Sequence, residues 1–255
     1  MLGAGRVANV LVAALLANGI EVVQIFSRTP EKGRRLARKA GAGYAATISA
    51  ITLDADLYIV AIADDAIAEL ATRLRLPGRL VVHVSGTLGP EALEGVTDRT
   101  GVFWPVQTFA PGRRVNLKRV PVCIEARRPK DEDLLAGLAG LLAGEVHRFG
   151  TEERRVLHLA AVFSSNFTHF NYVLAADLCQ RYGLPFSTLI PLIRQTAGNA
   201  GRKDLAGLQT GPAVRGDHRV LGLHRLLLKE HPAHREIYDL VSREIMLHFR
   251  KNGEL

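Results

Sequence analysis

Two groups of residues have the types and spacing that chemistry requires. The first is Gly3-Ala4-Gly5-Arg6-Val7-Ala8, which reads G-x-G-x-x-A, a form of the dinucleotide-binding fingerprint. Gly3 permits a tight turn, and Gly5 lets the backbone approach a pyrophosphate. Ala8 lets the following helix pack close to a sheet. The N–H groups that open this helix, around Arg6 and Val7, would face the pyrophosphate, where the helix dipole favours negative charge. The second group is His158, Ser165, Asn166 and His169. His158, Ser165 and His169 are 7 and 4 residues apart, so on a regular helix they share one narrow face, with Asn166 beside it. A polar stripe on an otherwise apolar helix must meet solvent, a ligand or polar partners. It reads as a substrate cleft facing a cofactor, or as a stripe bonded across a dimer interface. In the first reading His158 supplies a proton near neutral pH and Asn166 orients a carbonyl or carboxylate. No lysine lies on this face, which keeps a non-catalytic cofactor-binding sensor as the alternative to hydride transfer.

These groups need elements to hold them. Val7, Val10, Leu11, Ala14 and Leu15 give a buried helical stripe, and Asn18-Gly19 ends it. A strand over Ile20–Phe26 completes the start of a βαβ unit and ends in Ser27-Arg28-Thr29. An acidic residue here would bond the ribose 2′-OH of NAD, whereas arginine accommodates the 2′-phosphate of NADP, so NADP is the expected cofactor. Thr29 caps the next helix, and Pro30 suits its first position. Only Met1 and Leu2 precede Gly3, so the first strand is stunted or the native start lies upstream; the second is expected.

The near-continuous apolar run Asp56–Ala63 reads as a central parallel strand. Asp64-Asp65 then caps a helix, with a cofactor contact from Ala63 and Asp64 as a further role. Two more strands end at His83-Val84-Ser85-Gly86 and at Phe103-Trp104-Pro105-Val106-Gln107-Thr108. Ligands bind beyond the carboxyl ends of parallel strands, so Ser85 and Gly86 are placed to meet a nicotinamide, and Gln107 and Thr108 a substrate. His83 is expected to be packed and hydrogen-bonded inside its strand. Val120–Glu125, Asp131–Leu142 and Glu145–Phe149 finish the sheet as strand, helix and strand.

From Thr151 every segment reads helical. The apolar ladder Val156, Leu159, Ala160, Phe163, Phe167, Phe170, Leu174, Leu178 runs unbroken to Tyr182-Gly183, a rod of about 45 Å. A rod of that length should cross between domains or form a subunit interface. Asp217 caps a later helix, and Arg215 just before it either binds a substrate carboxylate or pairs with Asp217. The chain is therefore read as α/β: a Rossmann-type parallel-sheet domain over 1–150, then an all-helical substrate and dimerisation domain over 151–255.

Composition narrows the function. Hydrophobic content of 47% with 23% charged residues is that of an ordinary globular protein. Cys123 and Cys179 show no metal-ligand spacing and read as reduced thiols of a cytoplasmic protein. His231 and His234 lack a carboxylate partner at ligand spacing, so no metal site is expected. The apolar run Val7–Leu16 is too short for a bilayer. The net charge of +8, concentrated at Arg113, Arg114, Lys118, Arg119, Arg127, Arg128 and Lys130, comes without aromatic interleaving or a nucleic-acid-binding motif. It suits anionic cofactors and substrates instead.

Taken together, Gly3-Ala4-Gly5, Ser27-Arg28-Thr29, His83-Val84-Ser85-Gly86, Pro105-Val106-Gln107-Thr108-Phe109, His158 with Asn166, Pro191-Leu192-Ile193, and Thr210-Gly211-Pro212-Ala213 with Arg215 and Asp217 resemble one family over essentially the whole chain. It is the Rossmann-like family whose C-terminal half is domain of unknown function 2520. That family is similar in architecture to pyrroline-5-carboxylate reductase, ketopantoate reductase and deazaflavin-dependent NADP reductases. The resemblance implies an NADP-dependent oxidoreductase without a settled substrate. From the long apolar helix the chain is expected to be a homodimer, and the working function is hydride transfer to or from a small anionic carbonyl or imine compound. The short first strand departs from the family pattern, as does His169 where an asparagine is expected.

Overall fold

The computed structural model describes residues 1–251 and divides into two compact units, Met1–Phe167 and Thr168–Leu255. The division at 150/151 read from sequence marks where the strand–helix alternation stops. The boundary between the compact units falls later, at the end of a π-helical segment.

In the first unit the elements alternate as β1 (Gln24–Phe26), β2 (Gly43–Ala45), β3 (Leu57–Val60), β4 (Leu80–His83), β5 (Arg99–Pro105), β6 (Pro121–Ala126) and β7 (Glu145–Arg148), with helices α1 (Arg6–Ala17), α2 (Pro30–Ala40), α3 (Asp64–Arg73), α4 (Pro129–Leu142) and α5 (Thr151–Ala161) between and after them. β1 pairs with β2, and β3 to β7 lie side by side in order. Leu2 bridges the two groups, in parallel with Phe26 on one side and Val60 on the other. Its ladder is complete: Leu2 N–H donates to Ile59 O (2.8 Å), Gly3 N–H to Phe26 O (2.8 Å) and Ala61 N–H to Leu2 O (2.7 Å). Counting this stub as the first strand, the order is 3-2-1-4-5-6-7-8, and its first six follow a doubly wound dinucleotide-binding sheet. All pairings up to β5 are parallel; β6 runs antiparallel to β5 and carries β7 with it.

Alternate residues of the strands feed two cores. Ile25, Ile59, Val82 and Phe103 meet Leu11, Leu36 and Leu135 on one face, whereas Phe26, Val60 and Val81 meet Ile67, Leu70 and Leu93 on the other. That two-sided burial is why β3 and β4 read as continuous apolar runs. The strands are shorter than their apolar runs suggest. The expected Ile20–Phe26 strand keeps only Gln24–Phe26, because β2 offers three partners, Gly43, Tyr44 and Ala45. Two members of the basic cluster are held in surface ion pairs, Arg127 with Glu94 and Arg128 with Asp98.

The second unit holds α6 (Thr168–Arg181), α7 (Ile190–Asn199), α8 (His218–Leu227) and α9 (Pro232–Lys251). Asp217 caps α8 as expected, its carboxylate accepting from Val220 N–H (3.0 Å). Among the described residues no helix is long and apolar enough to cross a membrane. The regular helix expected over 151–181 is interrupted: Val162–Phe167 is a π-helical segment. The longer i→i+5 bonds widen the turn there. Steps of 100° per residue therefore hold only to Ala161, and the single face drawn through His158, Ser165 and His169 does not carry across Val162–Phe167.

Candidate active site

The glycine loop has the geometry its residue types predict. Gly3 sits at φ +118°, and a Cβ there would lie 2.2 Å from the carbonyl oxygen of Ala61. Gly5 is the cap residue of α1, and a Cβ there would meet nothing within 4 Å. Ala8 is fully buried against the sheet. The loop opens into a cleft of about 910 Å³, within the size range of small-molecule sites. It is lined by Gly3 to Val7, by Ser27, Arg28, Thr29 and Lys32, and by Ala61, Ile62 and Ala63 just beyond β3.

The β1–α2 turn is shaped by small bonds. Ser27 Oγ accepts from Thr29 N–H (3.1 Å), and the Tyr44 hydroxyl donates to Ser27 O (3.0 Å). Thr29 is the cap residue of α2, but its side chain makes no cap bond, so the hydroxyl is not committed to the capping role expected of it. Arg28 is 73% exposed and stands 3.5 Å from Glu69 of α3. Lys32, Glu69 and Arg73 also line the cleft, and sequence reading missed all three. Lys32 had a local signal, one helical turn beyond Arg28-Thr29. Glu69 and Arg73 had none, because they come from a different βα unit.

The α3 aspartates differ from the expectation. Ala63, not an aspartate, is the cap residue of α3. The Asp64 carboxylate instead accepts from the hydroxyls of Ser85 (2.6 Å) and Thr87 (3.0 Å). Asp64 is already the first residue of α3, one place past the cap, and its carboxylate is engaged on the neighbouring turn. Ser85 Oγ in turn accepts from the N–H groups of Thr87 and Leu88, both at 3.1 Å. The β4–β5 connection is thus folded around one buried hydroxyl.

His83 fixes the same turn from beneath. It is fully buried; Nδ1 accepts from Ser85 N–H (3.2 Å), so Nε2–H donates to Gly89 O (3.0 Å). The ring is therefore the neutral Nε2 tautomer. Burial holds its pKa below the ordinary value of 6.5, and Arg154 adds to this against the opposing Gly89 bond. The sign follows. Below pH 6.5 the unfolded chain takes up a proton that the native ring refuses, so stability is full above that pH and falls as pH drops. Urea unfolding at pH 7.5 and 5.5 should show a smaller loss on acidification for His83→Gln than for the wild type. Equal losses would assign the acid sensitivity elsewhere.

α5 is tied to this turn by polar bonds, while its Leu157 packs against the cluster of Val102, Trp104 and Cys123. Arg154, 0% exposed, donates through Nη1 to the Glu125 carboxylate of β6 and through Nη2 to Leu88 O. Thr151 Oγ1 also donates to Glu125 (2.9 Å), and Arg155 Nε donates to Thr87 O (2.8 Å). One turn beyond Arg154, the half-buried His158 ring covers Gly86 and lies 5.8 Å from the Trp104 ring. A Cβ on Gly86 would come within 2.6 Å of His158 Cδ2 and 2.9 Å of Trp104 Cε2. So His158 stands at the carboxyl ends of β4 and β5. Gln107 Oε1 accepts from Thr108 N–H (2.8 Å), and the Thr108 hydroxyl lies 3.1 Å from that of Ser165. Thr108 also lines the cleft. Asn166 is exposed within the π-helical segment.

Within the second unit His169 is exposed, with Tyr172 edge-on at 6.5 Å. Arg215 is exposed, and Asp217, its suggested partner, is engaged in capping α8. Sequence reasoning missed Arg154, since a charged residue near a helix start reads as solvated. Val156 (68% exposed), Leu159 (58%) and Phe167 (50%) of the apolar ladder are open in the single chain.

Comparison with known proteins bears on the same residues. Residues 1–86 match the family model described as NADP oxidoreductase, coenzyme F420-dependent, and residues 120–245 match domain of unknown function 2520. A structure from Bacteroides fragilis, described as a putative NADP oxidoreductase, is 40% identical, with 96% of each chain covered and a TM-score of 0.88. The Thermotoga maritima protein TM1727 is 23% identical over 96% of this chain and 99% of that one, with a TM-score of 0.77. The imine reductase of Myxococcus stipitatus in complex with NADP+ shares the fold at 18% identity, covering 99% of this chain and 94% of that one, with a TM-score of 0.70. No curated protein matches the chain.

Proposed function

We propose, from the premise that this chain belongs to the NADP oxidoreductase family whose C-terminal half is domain of unknown function 2520, that it transfers hydride between NADP(H) and a small anionic carbonyl or imine compound. The observation that carries the reading is the meeting of two features in one unit. A cleft shaped for a dinucleotide runs from the glycine loop, and an ionisable His158 rests on Gly86 at the carboxyl ends of the neighbouring strands. The residues fit NADP on structural grounds. The loop backbone is bare at Gly5. Arg6, Arg28 and Lys32 line a cleft in which, among the described residues, Glu69 is the one acidic lining residue.

In this reading the N–H groups at Gly5, Arg6 and Val7 would hold the pyrophosphate, Ser27, Arg28 and Thr29 would hold the 2′-phosphate, and Ala63, Asp64, Ser85 and Gly86 would border the nicotinamide. When bound, NADPH supplies a hydride. The chain must then stabilise the charge that develops on the acceptor atom and deliver a proton to it. His158 is the donor and Asn166 orients the acceptor. Gln107 and Thr108 are the substrate-contacting residues of this proposal in the first unit; His169 and Arg215 are the substrate candidates that the second unit carries on its own surface. The imine reductase named above acts on imines as that protein; its fold supports trying the class here.

The test is NADPH oxidation over a panel of cyclic imines and 2-oxo acids. Tight NADPH binding with no turnover across the panel would favour the sensor instead. Cofactor choice has its own expected result. A charge-assisted contact is worth about 1.5–3 kcal/mol, so the wild type should prefer NADPH to NADH by at least roughly tenfold, and Arg28→Ala should erase most of that preference. Equal wild-type affinities for both would refute the assignment.

The assembly belongs to the same proposal. Val156, Leu159, Phe167 and Phe170 stay 68%, 58%, 50% and 49% exposed, which is costly in water. A second copy of the chain, related by a two-fold axis and packing mainly through residues 151–255, would cover them. Light scattering at micromolar concentration should give twice the chain mass; a monomer mass would refute it. Cytoplasmic residence is included in the proposal as well, and two free cysteines agree with it.

A further inference from the structure

Three charged side chains from two elements meet along the cleft. Arg28 comes from the β1–α2 turn, and Glu69 and Arg73 from α3; all three line the cleft. One carboxylate oxygen of Glu69 lies 3.5 Å from Arg28 Nη1 and the other 3.5 Å from Arg73 Nη1. An anion thus already sits between two guanidinium groups. It sits where the end of the second strand of such a fold meets the adenosine ribose. Arg28 is 73% exposed and Glu69 55%, so the pair is weak and water-screened. It can be exchanged for a better anion. A phosphate carries more charge than a carboxylate and offers three acceptor oxygens to the same guanidinium.

We propose that Glu69 is a cofactor-selectivity residue that acts as a built-in competitor for the 2′-phosphate site. Its carboxylate holds Arg28 while no 2′-phosphate is present, yields it when one binds, and then remains beside the phosphate as a like charge. It therefore weakens binding of 2′-phosphorylated ligands only. For a ligand with a free 2′-hydroxyl the same carboxylate is an acceptor, the role acidic residues play in NAD sites. This rests on the reading of Arg28 as the 2′-phosphate partner, and the experiment separates the two.

The test is calorimetric titration of the full chain with 2′,5′-ADP and 5′-AMP, fragments that differ only in the 2′-phosphate. Glu69→Gln keeps the side-chain shape on an exposed helix position. It should bind 2′,5′-ADP about two- to fivefold more tightly, as expected for removing one exposed charge interaction. Affinity for 5′-AMP should stay the same or fall. The gain should shrink at about 1 M salt, where the Debye length is only about 3 Å. If Arg28→Ala weakens 2′,5′-ADP while Glu69→Gln changes nothing, Arg28 keeps its role and the competitor is refuted. A Glu69→Gln gain of equal size for 5′-AMP refutes it too. If Arg28→Ala leaves 2′,5′-ADP binding unchanged, the reading of Arg28 fails and takes this inference with it.

Discussion

His158→Asn should lower the rate of hydride transfer from NADPH by about 10²–10⁴-fold, the usual loss when a general acid is removed. Cofactor affinity should not change, because the glycine loop, Arg28 and Lys32 are untouched. The expectation rests on how firmly the ring is held. Arg154 ties the first turn of α5 to Glu125 and to Leu88 O, and Arg155 ties it to Thr87 O. His158 follows one turn later, seated on Gly86 with Trp104 at 5.8 Å. A second variant checks the geometry with the imidazole intact. Gly86→Ala places a methyl group 2.6 Å from His158 Cδ2 and 2.9 Å from Trp104 Cε2, so the ring must shift. A shift of about 1 Å can cost as much as 10²-fold in rate. Both rates are read by single-turnover nicotinamide absorbance, with whichever imine or 2-oxo acid the wild type reduces fastest. A rate preserved in His158→Asn would show that the proton comes from another group.

What the sequence made legible was whatever one local constraint dictates. A positive φ with a carbonyl behind it leaves glycine as the residue for position 3. Bare backbone at the start of α1 asks for glycine at position 5, and close packing asks for alanine at position 8. Strands buried on both faces read as apolar runs, so β3 and β4 stood out, although pairing partners set their true lengths. The switch to helices after Gly150 was equally plain.

What stayed hidden depends on residues far apart in the chain. Glu69 meets Arg28 only because α3 and the β1–α2 turn border the same cleft. Arg154 is buried by partners on β6 and on the turn after β4, so its fixed position has no sequence signature. The π-helical segment carries no distinctive residue, yet it breaks the regular steps on which the polar stripe was drawn. The apolar ladder showed which face avoids water, not which face meets this sheet. The contact of α5 with the sheet is made by Arg154, bonded through its two Nη groups, together with Leu157.

Gly3→Ala and Gly5→Ala should differ sharply, although both change a glycine of the same loop by one methyl group. At Gly3 the backbone is at φ +118°, a region that costs an L-residue of order 1–3 kcal/mol. The new Cβ would also stand 2.2 Å from Ala61 O. Neither side can yield easily. Ala61 N–H donates to Leu2 O at 2.7 Å, Gly3 N–H donates to Phe26 O at 2.8 Å, and this ladder joins β1 to β3 through the centre of the sheet. Relieving the clash means moving core backbone, another 1–3 kcal/mol or so by the usual cost of overpacking. Gly3→Ala should therefore lose about 2–6 kcal/mol in urea unfolding and bind NADPH poorly. At Gly5 the φ is −76° and a Cβ meets nothing within 4 Å. That protein should fold with a loss of no more than about 1 kcal/mol, the scale of a changed helix cap. Its methyl group, however, stands in the cleft where the pyrophosphate must approach the α1 N–H groups. NADPH affinity should fall by at least roughly tenfold, the equivalent of one lost charge-assisted bond. Unfolding curves and NADPH titrations on the two variants decide it. If Gly5→Ala binds NADPH as the wild type does, the phosphates do not lie against this loop and the cofactor assignment falls. If Gly3→Ala is as stable as the wild type, the first residues are not the keystone of the sheet.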